Sequence, residues 1–179
     1  MGDIIYIYDN GGGDSMTRKK AGAASINDVA NYFLSRVDVQ TGSVMTHLKL
    51  QKLCYYAQAW NLAFDGEPLF KGKFQAWAHG PVCPSLWKKY SGYSYHEIPA
   101  SESFDNSKFT KDQLETLDAV WENYGQYDGR YLEELTHQEL PWINARNGLA
   151  DGEQCTRIID ENEMKQYYTS LLEEHGQKQ

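Results

Sequence analysis

The sequence lacks every pattern that marks a common enzyme active site. No GxSxG, HExxH, Walker-type or GxGxxG arrangement occurs among its 179 residues. The glycine run at residues 11–13 has neither the lysine nor the flanking elements of a phosphate-binding loop. Cysteine is also scarce: Cys54, Cys83 and Cys155 lie far apart and form no CxxC pair. This pattern argues against a disulfide framework and fits reduced thiols in a cytosolic protein.

Basic charge and long apolar runs are equally limited. The chain has 17 basic and 25 acidic residues, a formal charge of −8, which argues against binding to nucleic acid. No apolar run approaches the roughly 18 residues of a membrane span. Asp3 and Asp9 flank only a short apolar stretch at the start, so a signal peptide is not expected. We predict a cytoplasmic protein that contacts no membrane.

The length predicts one domain, preceded by an arm. Residues 1–24 are predicted to be a flexible arm or leader, and residues 25–179 a single helical domain. Met16 is a candidate natural start, which leaves open whether residues 1–15 are native. A strand at residues 4–8 that pairs with a sheet edge is the alternative for the arm. The 13 tyrosines and five tryptophans suit either a core or a partner-binding surface.

Capping residues and helical spacing predict a mainly α fold. Ser25 with Asp28, and Thr110 with Gln113, have the spacing of a capping box. We predict a compact helical domain of about five to seven helices with a small β-hairpin. The expected helix starts are Ser25, Thr46, Pro84, Thr110, Asp128 and Asp160.

The helix that follows Thr46 carries apolar residues on two sides, which predicts a central position in the domain. Lys49, Lys52 and Tyr56 share its remaining face. Two lysines in the first turns of a helix oppose the helix dipole. Either both are solvated, or an acidic neighbour in the domain or on a partner compensates for them.

A small β element interrupts the helices. Over residues 74–79, Phe74, Ala76 and Ala78 alternate with Gln75, Trp77 and His79. This is the two-residue period of a strand with two distinct faces. Gly80 and Pro81 are predicted to turn the chain. Pro84 suits the first position of the next helix.

His79, Cys83, His137 and Glu139 are the side chains that suggest catalysis. A zinc site needs three or four ligands in tetrahedral geometry, usually with tighter paired spacings, and a cysteine nucleophile needs a base beside it. We therefore expect no metal, no cofactor and no enzymatic activity. A small metal-dependent hydrolase that uses these four residues is the alternative. His137 and Glu139 also suit a structural role at a polar junction between helices.

Three blocks of the sequence, in this order and spacing, resemble the Panacea antitoxin domain family, also called SocA-like or phage-associated GepA-like. The first is the helix LKLQKLCYYAQAW at residues 48–60, the second lies within residues 68–82, and the third within residues 135–146. The resemblance extends over residues 29–146. Cys54 stands where the family usually has leucine.

The resemblance implies a mainly helical antitoxin of bacteria, phages or mobile elements. Such proteins neutralise a toxin encoded beside them by direct contact, or act as an adaptor for its proteolysis. The partners implied are a cognate toxin and a AAA+ protease, and no enzymatic activity is implied.

Aromatic and arginine side chains dominate the binding energy of many interfaces. We expect a polar-aromatic surface to bind the toxin, and Arg146→Ala to keep the fold but weaken neutralisation. The residues expected to contact the partner are Trp77, His79, Trp142 and Arg146, with Lys49 and Lys52 as secondary candidates. Gly80, Pro81, His137 and Glu139 are expected to be structural.

Overall fold

The computed structural model describes residues 24–38, 40 and 42–176, which contain seven α-helices and one antiparallel hairpin. The hairpin strands are β1 (Gln75–Trp77) and β2 (Gly80–Val82). The helices are α1 (Ile26–Ser35), α2 (His47–Asp65), α3 (Pro84–Tyr90), α4 (Lys111–Tyr124), α5 (Gly129–Thr136), α6 (Leu140–Arg146) and α7 (Glu161–Gly176). The predicted fold class is confirmed. The predicted arm lies outside the described residues except for Ala24, so the domain division stays a prediction.

Local capping interactions set the helix boundaries, as the sequence predicts. Ser25 and Asp28 form a reciprocal capping box at α1, and Thr110 and Gln113 form another at α4. Gly66 ends α2 in the left-handed conformation, with φ of 75°. These contacts join residues no more than four positions apart, which is why the sequence alone reveals them.

Helix α2 is the centre of the domain. It packs against α1, α3, α4, α5, α7 and β2, so all its faces are covered. The Tyr55 ring lies 5.4 Å from that of Phe74, and the Trp60 ring lies 5.0 Å from that of Tyr168. The central position is confirmed. The alternative that Lys49 and Lys52 are solvated is wrong, because the elements around α2 bury both side chains.

The hairpin turn differs from the predicted one. Trp77 pairs with Gly80 and Ala76 with Pro81, so residues 78 and 79 form the turn. Gly80 and Pro81, predicted as the turn, are the first residues of β2. Because Trp77 and Gly80 close the loop, Ala76 and Pro81 form a pair without mutual hydrogen bonds, and the N–H that proline lacks is not needed there.

A segment near the C-terminus extends the small sheet. The Ala76 N–H donates to the Arg157 carbonyl at 2.9 Å, and the Ile159 N–H donates to the Phe74 carbonyl at 2.8 Å. Gln75 and Ile158 therefore form an antiparallel bridge on the edge of β1 opposite β2. The chain after α6 thus returns to the hairpin before α7 begins.

Candidate functional site

The outer face of the hairpin carries Trp77, whose ring pairs with an exposed tryptophan on α3. Phe74 and Ala76 point into the core, while the side chain of Trp77 is half-buried on the opposite face. The ring centroid of Trp77 lies 5.7 Å from that of Trp87 on α3. Trp87 is 44% exposed. The sequence analysis identified Trp77 but not Trp87, whose only sequence signal is a large aromatic next to two lysines.

Arg146 lies behind the hairpin, not on the surface. Its guanidinium donates to the carbonyls of Ala76 at 3.1 Å, Ala150 at 2.7 Å and Glu153 at 2.9 Å. Only 1% of the residue is exposed. The guanidinium carbon lies 4.7 Å from the centre of the Trp142 ring. Arg146 therefore joins β1 to the loop that follows α6.

Trp142 supports the same strand. Its indole N–H donates to the Trp77 carbonyl at 3.0 Å, and the residue is buried. The His137 ring stacks on the Trp142 ring at 4.0 Å. Trp142 and Arg146 thus fix the backbone of β1 from inside, while the Trp77 ring stays on the outside.

Lys52 holds the other strand. Its ammonium donates to the carbonyls of His79 and Pro81, the second at 3.2 Å. Burial lowers the pKa of Lys52 to about 7, although the nearby carboxylate of Glu133 opposes this shift. A neutral amine keeps two N–H donors, which is enough for the two carbonyls. Lys52 is therefore a buried side chain that fixes the backbone of the hairpin by hydrogen bonds.

Lys49 makes a similar contact with the end of a helix. Its ammonium donates to the Gly125 carbonyl at 2.6 Å, just past the last residue of α4. A cation at a helix C-terminus is favourable because the helix dipole is negative there. Burial lowers the pKa of Lys49, and Asp128 opposes that shift.

Gly80 packs closely against Lys52 and Thr136. Its φ is +86°, and an added Cβ would lie 2.7 Å from the Thr136 hydroxyl and 2.8 Å from the Lys52 ammonium. We predict that Gly80→Ala lowers the free energy of unfolding by about 3 kcal/mol, from backbone strain plus overpacking. Urea unfolding measures this. Gly148→Ala is the matched control, because Gly148 has φ of +81° but open space around it. Equal losses in both variants would show that the packing around Gly80 carries no energy.

Glu139 occupies a buried tyrosine cluster. The Tyr56 hydroxyl donates to one carboxylate oxygen at 3.2 Å and the Tyr168 hydroxyl to the other at 2.7 Å. Tyr56 also stacks on Tyr124 with ring centroids 4.1 Å apart. Burial raises the pKa of Glu139 to about 8, against the lowering effect of the two tyrosine hydrogen bonds. The predicted structural role of Glu139 is consistent with this position, but its partners were not foreseen.

His79 and His137, the two histidines considered for catalysis, have different surroundings. The His79 side chain is 79% exposed, and its Nδ1 lies 2.8 Å from the Glu133 carboxylate. His137 is half-buried against Trp142, and burial lowers its pKa. Its Nε2 is buried and has no hydrogen-bond partner among the described residues.

The four residues of the hydrolase alternative do not meet. His79 contacts Glu133, His137 stacks on a tryptophan, and Glu139 bonds to tyrosines. The sulfur of Cys83 lies 3.3 Å from the Ser85 hydroxyl. In the part of the chain that the structure describes, no group of three or more His, Cys, Asp and Glu side chains has an arrangement suited to a metal ion. No observation favours this alternative.

Of the six residues expected on a common surface, the structure exposes only His79 and part of Trp77. Two physical reasons account for the burial of the rest: charged ends satisfy backbone carbonyls inside the fold, and the tryptophan packs beneath β1. The buried residues are Lys49, Lys52, Trp142 and Arg146. A surface made by all six does not exist in this conformation.

None of the helices in the described residues is both long enough and apolar enough to span a membrane.

Comparison with known proteins identifies the family. Residues 50–143, just over half of the chain, match the family described as antitoxin SocA-like, Panacea domain. The chain belongs to this family, which confirms the resemblance seen in the sequence and supports an antitoxin role.

A curated relative matches over a shorter stretch. The chain is 43% identical over 47 residues to "Antitoxin SocA" of Caulobacter vibrioides (strain NA1000 / CB15N), an alignment that covers 26% of this chain and 25% of the relative. The match thus spans about a quarter of that protein. No solved structure matches the chain.

Proposed function

We propose that this protein is an antitoxin that neutralises a partner toxin by direct protein–protein contact. The observation that carries this proposal is membership of the antitoxin SocA-like family over residues 50–143. The placement of the ionisable groups supports it: Lys52, Glu139 and Arg146 are engaged in holding the fold together, and they are not directed into an open cleft. The mechanism needs neither a cofactor nor catalysis by this chain, and it operates in the cytoplasm where the toxin is made.

The toxin contacts the outer side of the hairpin. Trp77 and His79 are the originally expected contact residues that remain accessible. The toxin does not touch the buried residues Trp142, Arg146 and Lys52. Their side chains position the contact residues, because they donate hydrogen bonds to the backbone of the two strands. A rigid aromatic anchor loses little conformational entropy on binding, which favours affinity.

The test is co-expression with the product of the adjacent gene. Expression of the neighbour alone is expected to stop growth, and co-expression of this chain to restore it. A pull-down of the neighbour on the tagged chain then measures direct contact. The double variant Trp77→Ala/His79→Ala is expected to restore growth poorly, and its thermal unfolding is measured beside it because the Trp77 ring is half-buried against Trp87. A toxic neighbour that the wild-type chain neither binds nor counteracts would sink the proposal.

A second measurement separates blocking from adaptor-mediated proteolysis, since both begin with the same contact. Toxin levels are followed after translation is stopped, with and without this protein, in hosts with and without AAA+ proteases. Blocking leaves the toxin lifetime unchanged or longer. An adaptor shortens it, and loss of the protease restores it.

A further inference from the structure

One continuous segment of this acidic protein carries only basic charge. Residues 68–96 contain no aspartate or glutamate and four lysines, although the chain as a whole has a charge of −8. Since the segment contributes +4, the remaining residues carry −12. The hairpin and α3 are both built from this segment.

Aromatic side chains on this segment reach the solvent. Trp77 and Trp87 form the pair at 5.7 Å described above. The Tyr93 ring lies 6.2 Å from the Tyr90 ring in the turn that follows α3, and Tyr93 is partly exposed. Tyr95 is 95% exposed two residues later. The adjacent rings of Trp77 and Trp87 at the surface are costly to leave in water and are typical of interfaces.

Two lysines accompany these rings. Leu86 and Tyr90 are four residues apart and face the core, and the three residues between them are all exposed around the rest of α3. These positions are Trp87, Lys88 and Lys89. Neither lysine forms an ion pair with any residue that the structure describes, and the Lys89 ammonium lies 5.0 Å from the centre of the Tyr90 ring.

We propose that this face, the hairpin–α3 surface, binds an acidic segment of the partner toxin. Its residues are Trp77, Trp87, Lys88 and Lys89. An apolar side chain of the toxin packs against the tryptophan pair, and flanking carboxylates pair with the two lysines. This inference rests on the proposed antitoxin function and specifies its partner.

Charge complementarity selects this partner. An acidic segment is repelled by the rest of the chain and attracted here, which gives the complex one orientation and speeds association. Nucleic acid is the other polyanion that such a surface suggests. The same −12 background acts against a long phosphate backbone, which extends past a patch of this size onto acidic surface.

The experiment compares two double charge reversals in the full chain. Lys88→Glu/Lys89→Glu alters the hairpin–α3 surface, and Lys111→Glu/Arg130→Glu is the matched control with the same change of charge. Lys111 and Arg130 each have side chains 87% exposed and lie on α4 and α5. Growth rescue, dissociation constants for the purified toxin and thermal unfolding are measured for each protein.

The reversal on the hairpin–α3 surface is expected to weaken toxin binding at least tenfold and to abolish rescue, while the control stays within about twofold of wild type. Trp87→Ala is expected to weaken binding about 30-fold, as for a central aromatic anchor. Wild-type affinity falls as salt rises, whereas the affinity of the reversed variant rises with salt, because screening weakens the repulsion between its glutamates and the acidic segment. Glu→Lys changes in the toxin segment restore binding to the reversed variant.

Three results would overturn the inference. Rescue and affinity unchanged in Lys88→Glu/Lys89→Glu would refute this surface while leaving the antitoxin function intact. A wild-type chain that fails to counteract its toxic neighbour would refute the function, and the inference with it. Binding of a fluorescent DNA or RNA oligonucleotide that the reversal abolishes, with toxin binding intact, would assign the surface to nucleic acid.

Discussion

Arg146→Ala is expected to lower the free energy of unfolding by about 4 kcal/mol, because it leaves one buried and two part-buried carbonyl groups without their donor and opens a cavity. Those carbonyls belong to Ala76, Ala150 and Glu153. Equilibrium unfolding in urea measures the loss. From the sequence, this variant was expected to keep its fold and to lose only partner binding. From the structure, we expect a loss of stability instead.

Arg130→Ala is the matched control for this prediction. Its side chain is 87% exposed and lies within 3.8 Å of the Glu134 carboxylate on the same helix. Such surface pairs contribute about 0.5 kcal/mol or less. Arg146→Lys keeps the charge but not the forked donor geometry, so we expect an intermediate loss. If Arg146→Ala unfolds at the same urea concentration as Arg130→Ala, the three hydrogen bonds do not stabilise the fold.

The stability of the protein is expected to fall as pH rises from 5 to 7 through Glu139. Burial raises the pKa of this carboxyl from 4.5 to about 8 in the folded state. The unfolded state releases its proton near pH 4.5, whereas the folded state keeps it, so each rise in pH favours unfolding until both states are ionised above pH 8. The loss between pH 5 and 7 is about 3 kcal/mol, since one pKa unit corresponds to about 1.4 kcal/mol.

Glu139→Gln removes this pH dependence and provides the comparison. Tyr56 and Tyr168 bond to the carboxylate, and burial, together with the charge of Glu139, raises the pKa values of Tyr55, Tyr124 and Tyr167. None of these phenols titrates between pH 5 and 7, because burial raises their pKa values.

Other groups also change with pH, and the comparison cancels them. Burial lowers the pKa values of His47 and His137, which destabilises the fold as pH falls. The pKa of Lys52 is lowered to about 7, so its contribution is lost as pH falls from 10.5 to 7 and stays constant below that. The difference in unfolding free energy between wild type and Glu139→Gln therefore isolates Glu139. A difference that is constant from pH 5 to 7 would show that the carboxyl is already ionised in the fold.

Sequence reasoning predicted six of the seven described α-helices, all except α6, because their signals are local. The capping boxes at Ser25 and Thr110 and the glycine at the end of α2 act over a few residues. The apolar pattern of α2 also predicted its central position. Each of these features depends on residues that are neighbours in the chain.

The burial of charged residues could not be predicted in the same way. Lysine and arginine are seldom fully buried, so their type favours the surface. The acceptors of Lys52 lie 27 and 29 residues away, and one acceptor of Arg146 lies 70 residues away. Only the tertiary fold shows that these carbonyl groups meet the charged ends.

The candidate surface was predicted in part. Trp77 and His79 were identified, but Trp87 was not, since nothing in the local pattern places its ring beside the hairpin. The hairpin turn was displaced by two residues because Gly80 and Pro81 are typical turn residues. In the fold, a left-handed glycine and a proline carbonyl that faces Lys52 suit the start of β2.

Because other elements enclose α2, the core can form only late in translation. The aromatic face of this helix is covered by α7, whose Tyr168 packs on Trp60 and bonds to Glu139 only after about 100 more residues have been translated. At about 5–20 residues per second, the ribosome needs roughly 5–20 s for that interval. The nascent chain cannot complete its core before then. Under the antitoxin function proposed above, the capacity to bind a toxin therefore follows translation of α2 by at least that interval.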